Sequence, residues 1–452
     1  MDQDLTKHDD PLLEAALKAA RDTRFLEVGD GVRHRAARVF QEVFGDGPAV
    51  IVADERTFRV AGADVLAAFQ EAGREVAEPI LFPQDVHAGE EAVEELRSKL
   101  EAVPGIPVAV GSGTINDVTK LAAHQVNRPY MVVATAASMD GYTAYGASIT
   151  AGGSKQTFDC PAPRAVLADL DVIARAPAEM NAAGYADLLA KNVAGADWLL
   201  ADAVGVEPID PPVWDTVQRH LREWVGSPQG VVKNDPKVLR SLVQGLMMGG
   251  FAMQAAKTSR PASGAEHQFS HLWDMQGHTH KGVAPSHGFK VGVGTLASLA
   301  LHEDLLLNQD VGRVDVNQLV DQWTPLETVE KRIRELLGEG ALGDKAIEET
   351  RAKEPSTAAL RDQLARFRHN WPVIQERLAR HLIPFDRARE WLREAGCPVE
   401  PEAIGISRAR LRESYEAAGY IRRRFTVLDV ARRLGMLESA LDRIFGPGGR
   451  WS

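Results

Sequence analysis

The sequence predicts an α/β half with a parallel sheet at residues 1–178, followed by an all-α half at 179–452. Three observations carry this. Short apolar, β-branched runs alternate with helical patterns as far as residue 135. The links between them are short, and such alternation gives a right-handed parallel sheet. From Pro177 onward the periodicity is helical, with almost no strand signal.

After a helical lead-in, residues 48–54 (PAVIVAD) read as a buried parallel strand. GADVLAAFQEAG at 62–73 is helical and stops at Gly73. EPILFP is a second strand and EEAVEELRSKLEA a second helix. IPVAVGSG at 106–113 is a third strand running into glycines, NDVTKLAAHQ opens a third helix, and RPYMVVAT at 128–135 is a fourth strand. Residues 146–174, which include AVLADLDVI, are expected to form a hairpin excursion closing the sheet edge. Helices are expected from 177 and over 212–226, 235–258, 263–276, 288–305, 315–338, 356–380, 384–396, 407–418 and 426–445. The charged stretch 338–358 reads as a mobile surface segment.

The chain has 452 residues, enough for two or three domains. At 44% hydrophobic and 25% charged, its composition is that of a soluble globular protein. A net charge of -11 argues against nucleic acid as a partner, since a surface that binds it is basic. The basic run Arg422–Arg424 is too short to reverse this and reads as a solvated or domain-pairing face. Cys160 and Cys397 are too few for a disulfide framework or a Cys-rich zinc site, which suits a reducing cytoplasm. The N-terminus, MDQDLTKHDD, is acidic and polar, unlike a signal peptide. No uninterrupted apolar run reaches about 18 residues, so no membrane span is expected.

The chemistry concentrates at residues 264–290, GAEHQFSHLWDMQGHTHKGVAPSHGFK. Five of thirteen histidines fall here: His267, His271, His278, His280 and His287. His267 and His271 are four apart and share a helical face. Imidazole is the commonest ligand for divalent transition metals, so a metal site is the functional reading and chance clustering the bland one. Between a strand and a helix lies Gly111-Ser112-Gly113-Thr114-Ile115-Asn116-Asp117. Small residues there let the backbone approach a phosphate at a helix N-terminus; the alternative is a tight turn that needs glycine. Asp54 ends the first predicted strand, where an acid can accept from a ribose hydroxyl or form an Asx turn. The polar stretch Thr135–Ala144 also leaves a strand end, where open α/β sheets bind ligands. Asp187 either faces a cleft or pairs with Lys191 at i+4. Lys120 reads as structural. His278 and His280 read as solvated loop residues or as part of a closing loop, and Lys281 and Lys290 are candidate partners for a phosphate.

Five motifs occur in one order: GSGTINDVTK, ATAASMDGYTA, GYADLLAK, SGAEHQFSH and APSHGFKVGVGT, with RRFTVLDVARRLG late in the chain. Together they resemble the iron-containing, metal-dependent alcohol dehydrogenase superfamily, and within it the sn-glycerol-1-phosphate dehydrogenase family. The resemblance implies a dehydroquinate synthase-like fold, with a Rossmann-like nucleotide-binding domain at 1–178 and a helical metal- and substrate-binding domain at 179–452. It implies metal ligands Asp187, His267 and His287. Substrate contacts would be Asp140, Asp187 and His271, with Asp187 and His271 catalytic. The cofactor, NAD or NADP, would contact Asp54, Gly113, Thr114, Ile115, Asn116, Asp117, Thr135, Ala136, Ala137, Ser138 and Ala144. At Ala144 the family usually carries Ser, so either Thr143 supplies the hydroxyl or that contact is absent.

The implied activity interconverts dihydroxyacetone phosphate and sn-glycerol 1-phosphate by hydride transfer in an interdomain cleft. One divalent metal would polarise the C2 oxygen; a His₂Asp set suits zinc, and also nickel or iron. His271 would relay a proton or contact substrate, with a fourth-ligand role as the alternative. A homodimer or higher homo-oligomer is the family expectation. The competing readings are a glycerol or other polyol dehydrogenase and a dehydroquinate synthase-type lyase.

Overall fold

The computed structural model describes residues 11–152 and 154–452; the N-terminal MDQDLTKHDD segment lies outside them. The chain divides into two compact units. One is Met1–Leu188 with Asp215–Ser259, and the other is Leu189–Trp214 with Arg260–Ser452.

The first unit is built on six parallel strands: β1 (Phe25–Gly29), β2 (Ala49–Asp54), β3 (Ile80–Phe82), β4 (Ile106–Gly111), β5 (Met131–Ala134) and β8 (Ala165–Asp169). Their order is β1-β8-β5-β4-β2-β3. Ala49 to Ala53 have no exposed surface, as expected when helices cover both faces of a parallel sheet. One face packs Phe40, Val65 and Phe69 against Ile51, Val108 and Val133.

Two expectations change here. Residues 25–29 form the edge strand β1, whereas the sequence reads as a helical lead-in; FLEVG is too short to show a period of its own. The segment AVLAD does not close an edge hairpin. It is β8, between β1 and β5, and all five of its residues are buried. The hairpin is β6 (Ala147–Ala151) with β7 (Ser154–Phe158), a separate antiparallel sheet. Burial alternates along β6, the mark of a strand covered on one face.

The second unit is helical. Predicted helices recur at Ala265–Met275, His287–His302, Thr357–His381, Phe385–Glu394 and Arg408–Ala418. The stretch expected at 315–338 is two helices, with Pro325 opening the second. That at 426–445 also divides, around Gly435 at φ +63. Residues 338–358 are not a loose segment: Ala341–Lys353 is a helix that buries Ala346, Ile347 and Glu349. Its charges are ion-paired, most of them on the exposed face. Burial opposes ionisation of Glu349, but bonds from Arg423 and Lys345 prevail and hold its carboxyl down at about 2. Arg423 is thereby an anchor rather than part of a basic patch. No helix among the described residues is long and apolar enough to cross a membrane.

Candidate metal centre and nucleotide loop

β4 ends at Gly111, and the next helix, Gly113–Gln125, begins two residues later. So short a turn aims the first amides of the helix out of the carboxyl end of the sheet, where a phosphate finds both donors and the positive end of the dipole. The side chains of Asn116 and Asp117 in this loop are engaged elsewhere. Asn116 accepts from the Tyr130 hydroxyl at 3.0 Å and donates to Asp117 at 3.0 Å. Asp117 accepts from the Ser148 amide at 3.3 Å, and burial raises its pKa against the pull of Lys120. The loop therefore offers backbone to a ligand, not carboxylate.

Residues 135–144 lie beside this turn and are pinned at several peptides. Thr135 donates its amide to Gly111 at 3.2 Å. Tyr142 donates its hydroxyl to Ala136, and Ala137 donates its amide to Asn181. Lys120 is buried and donates to the carbonyls of Gly141, Ala144 and Gly146 at 2.9, 2.9 and 3.0 Å. The structural reading of Lys120 thus has a geometry: it ties the loop to the helix that follows the glycines. Thr143 is fully buried and donates to the Met247 carbonyl at 2.7 Å. Its hydroxyl is committed to that bond, and Ala144 has none.

Asp54 ends β2 and caps the next turn, accepting from the amides of Arg56 and Thr57 at 2.8 and 2.9 Å. The Asx-type role weighed from the sequence is present, and the side chain remains only half-buried at the carboxyl end of the sheet.

The helix Ala178–Ala203 carries Asp187, which is fully buried and accepts from the Asp140 amide at 3.1 Å. Gly184 permits this approach. A Cβ there would sit 1.8 Å from the Ala137 carbonyl oxygen, so only glycine lets the helix lie directly on the loop.

In Ala265–Met275, the i, i+4 spacing places the rings of His267 and His271 6.1 Å apart. His287 is the first residue of His287–His302, with Ser286 capping the Phe289 amide. The two helices meet closely at Gly294, where a Cβ would lie 2.4 Å from the Glu266 carbonyl oxygen. That approach brings the His267 and His287 rings to 5.3 Å. Asp187, His267 and His287 each offer a ligand atom, and these atoms lie within 4.8 Å of one another. His271 stands outside this set, 6.1 Å from the His287 ring. One carboxylate and two imidazoles, largely buried, suit a divalent transition metal with positions left for water or substrate.

The remaining residues of the histidine stretch are sorted by their partners. His278 is buried rather than solvated. Gly277, at φ +62, ends the helix and turns His278 inward, where Nε2 faces the Ile404 carbonyl and Nδ1 faces Arg410, each at 2.7 Å. Burial lowers its pKa, the Ile404 bond opposing and Arg410 adding to the effect. Lys290 is buried and ion-paired with Asp274. Lys281 is exposed and His280 half-buried.

Two residues went unseen in the sequence. Asp197 accepts from the amides of Ala265 and Val427, at 2.7 and 2.8 Å, and lies 3.2 Å from His302 Nε2. Glu266 lies 2.7 Å from His267 Nδ1. The only signal for Glu266 was its place beside a candidate ligand; for Asp197 there was none.

Residues 27–177 match the family model described as iron-containing alcohol dehydrogenase. The glycerol-1-phosphate dehydrogenase [NAD(P)+] of Halalkalibacterium halodurans is 35% identical over 56% of this chain and 64% of its own length, slightly under two thirds. The protein of that name from Bacillus velezensis is 32% identical over 65% of this chain and 76% of its own length. Among solved structures, a probable glycerol dehydrogenase from Sinorhizobium meliloti 1021 superposes with a TM-score of 0.60 at 17% identity, over 93% of this chain and 98% of that one; it speaks for the fold alone. The fold is the one seen in dehydrogenases of the alcohol type. The chain belongs to the iron-containing alcohol dehydrogenases, in the branch whose members are named glycerol-1-phosphate dehydrogenase [NAD(P)+].

Proposed function

We propose that the chain interconverts dihydroxyacetone phosphate and sn-glycerol 1-phosphate, with NAD or NADP as hydride carrier. The observation that carries this reading is the convergence of Asp187, His267 and His287 in a chain with relatives of that name. Those three residues would hold a divalent metal, zinc by its donor set, which supplies Lewis-acid stabilisation of charge on the C2 oxygen. His271, beside the ligand set, contacts substrate or relays a proton, since imidazole titrates near neutral pH. Asp140 is the other substrate contact, tied through its amide to Asp187. The cofactor's phosphates fall to the amides of Gly113–Asp117, and its nicotinamide end to Thr135–Ser138 and Ala144. Asp54 disfavours a 2′-phosphate by charge, which Arg56 and Arg59 offset. In domain terms, 1–178 serves the nucleotide and 179–452 the metal and substrate, in a cytoplasmic homodimer or larger homo-oligomer.

A polyol dehydrogenase is the second reading. What favours it is the Lys290–Asp274 pair, which leaves that lysine less suited to a substrate phosphate. The test is a reductase assay with dihydroxyacetone phosphate and dihydroxyacetone, each with NADH and NADPH, after metal removal and re-addition of zinc, nickel or iron(II). Metal-dependent turnover of the phosphorylated triose alone is expected. Turnover of dihydroxyacetone alone would establish the second reading, and full activity without metal would overturn both.

A further inference from the structure

We propose that Glu266 is a positioning residue for His267, fixing the tautomer and ring orientation in which Nε2 is the ligand atom. The inference depends on the metal reading above. Glu266 is fully buried, one residue before His267. Its Oε1 lies 2.7 Å from His267 Nδ1 and accepts from the Gly264 amide at 2.6 Å. An ionised carboxylate can only accept, so Nδ1 carries the proton and the lone pair stays on Nε2. The Gly264 amide holds the carboxylate independently of the imidazole. Arg260 and Arg424 lie within electrostatic reach of Glu266.

His287 Nδ1 lies 3.4 Å from the Ser270 hydroxyl. A carboxylate behind an imidazole fixes the ring and raises its basicity, and loss of such a partner typically lowers metal affinity about 10- to 100-fold. Glu266 touches no substrate in this scheme; it acts through His267.

The test uses the full-length apo protein, titrated with Zn²⁺ against a competing chelator, alongside Glu266→Gln and Glu266→Ala. Glu266→Gln keeps the size and one acceptor but loses the charge, and its Zn²⁺ affinity is expected to fall about 10-fold. Glu266→Ala is expected to lose about 100-fold. The apo melting temperature separates a capping role from a positioning one. Variants that melt earlier yet bind Zn²⁺ within twofold of the natural chain would show that Glu266 only caps the helix, and would overturn the proposal. Should Glu266→Ala fail to fold, Glu266→Gln and the ¹⁵N chemical shifts of His267 decide: a protonated Nδ1 is expected, and a protonated Nε2 overturns it. Absence of Zn²⁺ binding by the natural chain would overturn the metal reading and this inference together, an outcome distinct from equal binding by all three proteins.

Discussion

Gly184→Ala sets two well-measured effects against each other. In a helix interior, alanine is favoured over glycine by about 1 kcal/mol, so on propensity alone the variant is stabilised. The structure reverses the sign. The new methyl would lie 1.8 Å from the Ala137 carbonyl oxygen, 2.7 Å from its carbon and 3.2 Å from Leu246 Cδ1. The first two are backbone atoms, so no rotamer change relieves the contact. Helix and loop must part by more than about 1 Å to restore ordinary van der Waals distance, and overpacking of this kind costs about 1–3 kcal/mol. The loop resists because Asn181 and Asp187, on the same helix, bind the amides of Ala137 and Asp140. We expect the upper end of that range to outweigh the propensity gain, for a net loss of about 2 kcal/mol. The assay is urea unfolding of the apo protein by circular dichroism, paired with Zn²⁺ titration, since separation also draws Asp187 from its Asp140 donor. A variant as stable as the natural chain, with unchanged Zn²⁺ affinity, would refute the packing argument.

Two further outcomes follow from buried groups. Lys120→Met removes the donor of three carbonyls while sparing the cost of a buried charge; a net loss of about 3 kcal/mol in unfolding free energy is expected, and less than about 1 would show that the loop holds without it. His278 has a folded pKa below its usual 6.5, because burial penalises the imidazolium. The folded state thus prefers the neutral ring. The associated stability is complete above pH 6.5 and is lost as the pH falls from there toward the depressed folded value, where the unfolded chain binds the proton first. His278→Gln should flatten the fall in unfolding midpoint between pH 8 and pH 5, and identical pH profiles for the two proteins would exclude the histidine as its source.

The sequence was most informative where one physical constraint dominated. Strands buried on both faces must be nearly continuous in apolar residues, so β2, β4 and β5 stood out in order. β1 did not, because it is five residues long with a glutamate at its centre. β8 reads as strand-like in the sequence, but its place does not, since strand order depends on crossovers that no local pattern records. The charged stretch 338–358 misled for a related reason. Glu349 and its arginine partner are 74 residues apart, and a charge reads as solvated until its counter-ion is known. At the candidate metal centre, the motifs single out Asp187, His267 and His287, whose ligand atoms lie within 4.8 Å of one another. The burial of His278 is not legible locally because it comes from contacts with Ile404 and Arg410, far along the chain.

What the motifs missed was the support for those candidate ligands, and its logic lies at the start of one short helix. Ala265–Met275 has eleven residues, marginal for a helix by itself, so its place is set by what holds its ends. The first amides of a helix have no intrahelical acceptor and carry its positive pole. Here two buried carboxylates take up that role: Asp197 accepts from the Ala265 amide and Glu266 from that of Gly264. Each also reaches a second group, Asp197 the Val427 amide and Glu266 the His267 ring. For Glu266 one atom, Oε1, both accepts from the Gly264 amide and faces the His267 ring. Removing Glu266 must disturb both, whereas changing its charge alone bears chiefly on the imidazole. That difference is why the glutamine variant, more than the alanine, separates a structural carboxylate from one that governs the metal.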